Sequence, residues 1–249
     1  MPVNEFGQPV GESLDWTARR AVEPVTLVGR TCRVEGLHKD HLPGLYDALV
    51  VRSPGSIWTY LGAGPFTEDA EGKVGFTSWL RTLGDDPDAV PHVLTAPDGT
   101  PQGLASYLRL DQRNGAVEVG GIALGAGLQR TTAATEAMYL MARHVFDDLG
   151  YRRYEWKCDS LNEPSRRAAE RLGFTYEGRF RNAVVYKGRN RDTDWFSITD
   201  EEWPGVRDRL EEWLDPANFD AAGKQRRPLD RPGGPLDGSA PEWHRRLHG

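Results

Sequence analysis

The chain has 249 residues, enough for one large domain or one domain with appendages, and enough to bury a full core. A net charge of −6, with 38% apolar and 27% charged residues, describes an ordinary soluble protein and argues against broad electrostatic binding of nucleic acid. Cys32 and Cys158 match no metal or redox spacing, no secretion signal opens the chain, and no run is long enough to cross a membrane. A reducing, cytoplasmic setting is expected, with no membrane and no nucleic-acid partner.

Residues 1–24 are polar and broken by Pro2, Pro9 and Pro24, and are expected to form an arm lying on the body or partly disordered. Residues 25–28 and 31–37 read as extended pieces opening a sheet. Helical spacing of Leu42, Leu45, Tyr46 and Leu49 predicts a helix over 38–51. A second helix is expected over 67–83, with Thr67 as its cap. Two β-prone runs, 92–96 and 102–110, flank Pro97-Asp98-Gly99-Thr100, a hairpin turn in which Pro presets one φ and Gly accepts a positive one. A further turn over 111–115 leads into a strand at 117, which completes an antiparallel meander.

From there the chain changes character. A β-rich run (117–124), a loop of small residues, a helix of roughly four to five turns, a second β-rich run (151–158) and a short helix after Asn162 form a β-loop-α-β-α unit. Two strands joined through a helix lie parallel. Residues 175–181 and 194–199 read as two more strands, joined by a segment that ends in Lys187-Gly-Arg-Asn-Arg-Asp. A helix is expected over 201–214, with Trp203, Val206, Leu210 and Trp213 or Leu214 on one stripe. From 215 onward, five Gly and five Pro in 35 residues describe an extended tail pinned by Phe219, Leu229, Trp243 and Leu247. The main domain is therefore expected over 25–214.

Gln129-Arg130-Thr131-Thr132-Ala133-Ala134 lies where a strand feeds a helix start. The first N–H groups of a helix have no internal partner, and its dipole is positive there, so a pyrophosphate could seat on them. On local chemistry alone, a plain Thr cap on a core helix explains the run equally well. The chain has no G-x-x-x-x-G-K-[S/T] motif, and Gly125-Ala-Gly127 lacks the third glycine of a dinucleotide fold. Strand alternation puts Glu118, Gly120 and Ile122 on one face, and Val117, Val119 and Gly121 on the other. A Glu there would ordinarily face solvent or pair with an Arg, but a charge beside Ile122 on a central strand also suits a functional group. Asn162 with Pro164 is a standard helix start.

The order of elements, the run Gln129-x-x-Thr132-x-Ala134, and the later Asn162-Glu-Pro-Ser165, Arg171-Leu-Gly-Phe174 and Glu177-Gly-Arg-Phe180 resemble the GCN5-related N-acetyltransferases, specifically their RimJ/RimL-like branch. The resemblance covers roughly residues 25–200. It implies an α/β fold: a mixed, mostly antiparallel twisted sheet with two splayed parallel central strands and helices on both faces. It implies acetyl-CoA or another acyl-CoA as cofactor, with residues 129–134 on the pyrophosphate. Backbone groups of Val119, Gly120, Gly121 and Ile122 would meet the thioester, and Asn162 and Ser165 the cofactor arm. Glu118 would take the amine's proton and Ser165 would protonate the departing sulfur. Thr132 stands where the family has its first loop glycine, and Ala169 where many relatives have Tyr. The acceptor implied is a small-molecule amine or a peptide N-terminus, and a homodimer is a further expectation. Succinyl or another acyl group, or a CoA-binding module without turnover, are the alternative readings.

Overall fold

In the computed structural model, which describes residues 1–229, eight strands form one sheet. They are β1 (Leu27–Val28), β2 (Arg33–Gly36), β3 (Ala89–Thr95), β4 (Pro101–Asp111), β5 (Ala116–Leu124), β6 (Arg153–Asp159), β7 (Thr175–Tyr186) and β8 (Arg189–Thr199). Their spatial order is β1-β2-β3-β4-β5-β6-β8-β7, antiparallel throughout except for the parallel pair β5–β6. The expected mixed sheet is present.

Five helices pack on its faces: α1 (Leu42–Tyr46, continued by a π turn, Asp47–Val51), α2 (Ala70–Gly84), α3 (Thr132–Arg143, continued by a π turn, His144–Asp148), α4 (Glu163–Leu172) and α5 (Trp203–Leu214). α3, α4 and α5 bury Met138, Tyr139, Ala169, Leu172, Val206 and Leu210 against Val117, Val119, Tyr154 and Trp156 of the central strands. On the opposite face, α1 and α2 and the 3-10 turn Gly55–Trp58 bury Leu45, Leu49, Phe76, Leu80 and Trp58 on Val93, Leu104 and Ala123. Burying side chains of this size contributes roughly 1.5–3 kcal/mol each.

Several local signals differ from expectation. α2 is capped by Asp69, which accepts the Gly72 N–H at 2.8 Å, while Thr67 donates to that carboxylate. An ionised Asp nearer the first turn is the better acceptor for the unpaired N–H groups. The strands expected over 175–181 and 194–199 are longer and form one hairpin, closed by Lys187 and Gly188, both at positive φ. The turn residues fit a two-residue hairpin connection. β7 is an edge strand whose residues are mostly exposed, so no apolar alternation marks its distal half.

Residues 16–20 are fastened to the body. The Trp16 indole donates to Arg113 O at 2.8 Å, Arg19 stacks 4.1 Å over Trp16 and donates to Gly150 O, and Arg20 donates to Asp148 O. The turn between β1 and β2 is fastened to α3 by Glu136, a buried carboxylate that accepts the N–H groups of Arg30 (2.8 Å) and Thr31 (2.6 Å) and the Thr31 hydroxyl. Beyond α5, Phe219 meets the Trp213 ring edge-on at 5.3 Å, and Leu229 is buried. Trp243 and Leu247, the other expected anchors, lie outside the described residues. Among the described residues no helix is long and apolar enough to cross a membrane.

Candidate active site

The parallel register of β5 and β6 runs from Ala116↔Arg153 to Val119↔Trp156 and stops there. β5 continues to Leu124 and β6 to Asp159 with no further pairing between them, so the centre of the sheet opens. At the same level the β4–β5 register jumps between Leu104↔Ala123 and Ser106↔Gly120, and Gly121 has φ +58°. This is a bulge with its glycine in the left-handed region. It leaves Gly121 and Ile122 without a register partner in either neighbouring strand.

The bulge corrects the strict alternation expected from sequence. Ile122 packs against the same core cluster as Val117 and Val119, on the α3 side, and does not share the face of Glu118. Gly120 does share that face: a Cβ there would stand 2.7 Å from Glu118 Oε1. An extra residue in one strand reverses every side chain beyond it.

The loop from Gly125 to Thr131 is pinned from beneath. Gly125 N–H donates to Gln102 O, Ala126 N–H to Ser53 Oγ, and the Gln129 amide to Leu124 O. Thr131 caps α3, its hydroxyl accepting Ala134 N–H at 3.1 Å and donating to Leu128 O at 2.7 Å. Arg130 has φ +60°, and its backbone N–H and those of Thr131, Thr132 and Ala133 find no protein acceptor among the described residues. Four unspent donors at one helix start suit an anionic diphosphate. The Thr131 cap therefore leaves these N–H groups available to an anion.

Glu118 is 4% exposed. Its Oε2 is held by Arg109 Nη1 at 2.5 Å and Lys157 Nζ at 2.9 Å, whereas Oε1 turns toward Gly120 and accepts no hydrogen bond among the described residues. Lys157 also pairs with Glu155 at 2.8 Å and lies 3.7 Å over the Trp195 ring. Arg153 in turn joins Glu155 to Glu177. The result is a continuous chain of six alternating charges, Glu177-Arg153-Glu155-Lys157-Glu118-Arg109, on the sheet face opposite α3.

At the end of β6, Asn162 Oδ1 accepts Ser165 N–H at 3.2 Å and so caps α4. The Trp156 indole donates to Ser165 Oγ at 3.0 Å, which leaves the hydroxyl proton free to point elsewhere. Ser165 also favours the thiolate form of Cys158, although burial dominates and pushes that thiol up to about 11. Cys158 is thus a packed thiol, and Cys32, likewise buried, is pushed up to about 12. Ala169 lies fully buried in the core.

On the Glu118 side of the opening, Tyr186 donates to Asp159 Oδ2 at 2.7 Å, and Lys187 Nζ donates to Trp58 O at 2.6 Å. The hairpin tip therefore reaches the turn that carries Trp58. Trp58 itself is core, ringed edge-on by Phe66, Phe76 and Trp79. Sequence reasoning singled out neither Arg109 and Lys157 nor Trp156, Asp159 and Tyr186. A signal for part of this set was available: Arg153, Glu155, Lys157 and Asp159 alternate with Tyr154, Trp156 and Cys158, which places four charges on one strand face.

Residues 33–175 match the family model "Acetyltransferase (GNAT) domain". The fold is similar to a GCN5-related N-acetyltransferase from Brucella melitensis, at 41% identity and a TM-score of 0.82, covering 86% of this chain and 96% of that one. It is also similar to a "probable acetyltransferase" of the GNAT family from Chromobacterium violaceum (34% identity, TM-score 0.71, covering 79% and 98%). Among curated proteins, "Putative ribosomal N-acetyltransferase YdaF" of Bacillus subtilis is 26% identical over 150 residues, 60% of this chain and 80% of its own length. With more than half its length matching the family model and a 41% identical relative spanned almost whole, the chain belongs to the GCN5-related N-acetyltransferases, in their RimJ/RimL-like branch.

Proposed function

We propose that this N-acetyltransferase moves an acetyl group from acetyl-CoA to a primary amine, either a peptide N-terminus or a small amine, by direct attack. The observation that carries the reading is the opening beyond Val119↔Trp156, bordered by the unpartnered backbone of Gly121 and Ile122 and by the unspent N–H groups at the start of α3. Acetyl-CoA supplies an activated acyl group as a thioester. Gln129, Arg130, Thr131, Thr132, Ala133 and Ala134 would line the diphosphate seat, with N–H groups of residues 130–133 as donors. Asn162 spends Oδ1 on its helix and keeps its amide N–H groups for a carbonyl of the cofactor arm.

The chemistry needs a neutral amine, a held carbonyl and a proton for the leaving sulfur. Glu118 Oε1 takes the amine proton, directly or through one water, while Arg109 and Lys157 fix the carboxylate by its other oxygen. Backbone N–H groups within 119–122 hold the acyl oxygen, and Ser165 gives its proton to the sulfur. Two fold neighbours under 25% identical bear on the chemistry: the microcin C7 self immunity acetyltransferase MccE was solved with acetyl-CoA and AMP, and a Salmonella typhimurium acetyltransferase modifies the N-terminal serine of ribosomal protein L7/L12. They supply chemical precedent for the fold, and the acceptor here is to be found by assay.

Thermal-shift measurements with acetyl-CoA, succinyl-CoA and CoA, followed by free-thiol release over a panel of amines and peptides, test the reading. A clear shift and amine-dependent thiol release are expected. Binding without release on any acceptor would mark a non-catalytic CoA-binding module, release only from succinyl-CoA would change the acyl group, and no shift with any ester would overturn the proposal.

A further inference from the structure

Buried carboxylates are normally paired with a cation, because removing a charge from water is costly. Every other carboxylate on the exposed face of the central strands obeys this. Glu118 and Glu155 share Lys157, and Glu155 and Glu177 share Arg153. Asp159 continues the same face of β6 and is 4% exposed, yet among the described residues no Lys, Arg or His lies within ion-pair distance of it. Its Oδ1 accepts Leu161 N–H at 2.9 Å, and its Oδ2 accepts the Tyr186 hydroxyl at 2.7 Å. A carboxylate has about four acceptor sites, so further donors can be taken by both oxygens. Of the nearby cations, Lys157 is committed to two glutamates and Lys187 to Trp58 O, while Arg191, 5.8 Å from the centroid of the Tyr186 ring, makes no ion pair with Asp159 and its Nε has no hydrogen-bond partner among the described residues.

Position gives this uncompensated charge a use. Counting onward from Val119↔Trp156 and allowing for the extra residue of the bulge, Asp159 stands across the opening from Ala123, one step beyond Gly121 and Ile122, and each step advances roughly 3.3 Å. Asp159 thus stands about one residue's rise beyond the backbone proposed to hold the acyl oxygen, on the side away from α3 and α4. Glu118 is lower, paired in register with Glu155. An amine arriving from that side comes as an ammonium ion, which carries three donors and one positive charge.

We propose that Asp159, with the Tyr186 hydroxyl beside it, is the subsite that receives the acceptor's ammonium group before its proton is removed. This rests on the reading of the opening as the acyl-transfer site. Asp159 is a positioning and specificity residue here: it selects cationic nitrogen over an uncharged nucleophile, and the hairpin tip carrying Tyr186 and Lys187 walls the subsite against Trp58.

The test is a saturation-transfer NMR titration of the protein with CoA, using n-butylammonium chloride as probe and butan-1-ol as its uncharged counterpart. The wild-type protein should bind n-butylammonium at least tenfold more tightly than butan-1-ol. Asp159→Asn should remove that preference while leaving the butan-1-ol affinity, the melting temperature and the CoA-induced thermal shift unchanged, because Asn keeps the oxygen that accepts Leu161 N–H. Equal affinity of the wild-type protein for the two probes, or no binding of n-butylammonium, would overturn the proposal whether or not the variant folds. Equal n-butylammonium affinity in wild type and Asp159→Asn would do the same. A normal CoA shift without ammonium preference sinks this inference alone. Ammonium preference without any CoA shift removes the acyl-transfer reading and leaves a cation subsite.

Discussion

Replacing Ser165 by Ala removes a structural acceptor and the proposed proton donor in one step, and the two losses can be separated. The Trp156 indole, 5% exposed, donates to Ser165 Oγ at 3.0 Å. Truncation strands that N–H in the core, which costs about 1–3 kcal/mol. For a chain of this length, each kcal/mol lowers Tm by roughly 2–4 °C, so a fall of roughly 2–12 °C is expected. Trp156→Phe removes the donor instead, and in that background Ser165→Ala should cost little further stability. The coupling read from the double-mutant cycle should then be about 1–3 kcal/mol, within the range for groups in contact. Turnover behaves differently: if Ser165 protonates the departing sulfur, acetyl-CoA thiol release with a productive amine falls about 10²–10⁴-fold in both backgrounds. Equal destabilisation with and without the indole would refute the hydrogen-bond argument. Turnover lost only when Trp156 is present would show that Ser165 acts through packing and not as a proton donor.

Three further outcomes follow from particular residues. His92 is fully buried and neutral, donating from Nδ1 to Val90 O and accepting Val25 N–H at Nε2, and burial depresses it from 6.5 to about 4. The unfolded chain therefore binds the extra proton first. This contribution is complete above about pH 6.5 and drains away as pH falls toward 4, a loss of about 3 kcal/mol; urea titrations across that window should show the slope, and His92→Asn should flatten it. Gly121→Ala forces an L-residue to φ +58° and should lower stability by about 1–2 kcal/mol while weakening the acetyl-CoA-induced thermal shift; an unchanged shift would detach the bulge from thioester binding. Glu136→Ala leaves two N–H groups and the Thr31 hydroxyl without their acceptor, and chemical denaturation should report a loss of about 3 kcal/mol or more with CoA affinity preserved.

Local chemistry made much of the framework legible before any coordinates. Asn162 and Pro164 announce α4, and the stripe of Trp203, Val206, Leu210 and Trp213 announces α5, because caps and helical periodicity act over a few residues. The Pro-Asp-Gly turn fixes the β3–β4 hairpin in the same way. What failed depended on partners distant in sequence. Nothing in Gly120-Gly121-Ile122 alone distinguishes a straight strand from a bulge, since the irregularity is defined against β4. The distal parts of β7 and β8 gain ladder hydrogen bonds but little burial, so they carry no period-two signal. At the site, Glu118 was readable by position, whereas its clamp by Arg109 and Lys157 is assembled from three strands. Asp159 and Tyr186 are 27 positions apart and meet only because the hairpin folds back across the opening.

The arm at the front of the molecule has a temporal side. Trp16, Arg19 and Arg20 are made early, but the carbonyls that hold them belong to Arg113, Gly150 and Asp148, which are 97, 131 and 128 positions further on. A ribosome must therefore release most of the catalytic domain before this strap has anywhere to land. A segment synthesised before the strands it rests on is thus among the last to settle, closing over a sheet whose central strands have already met.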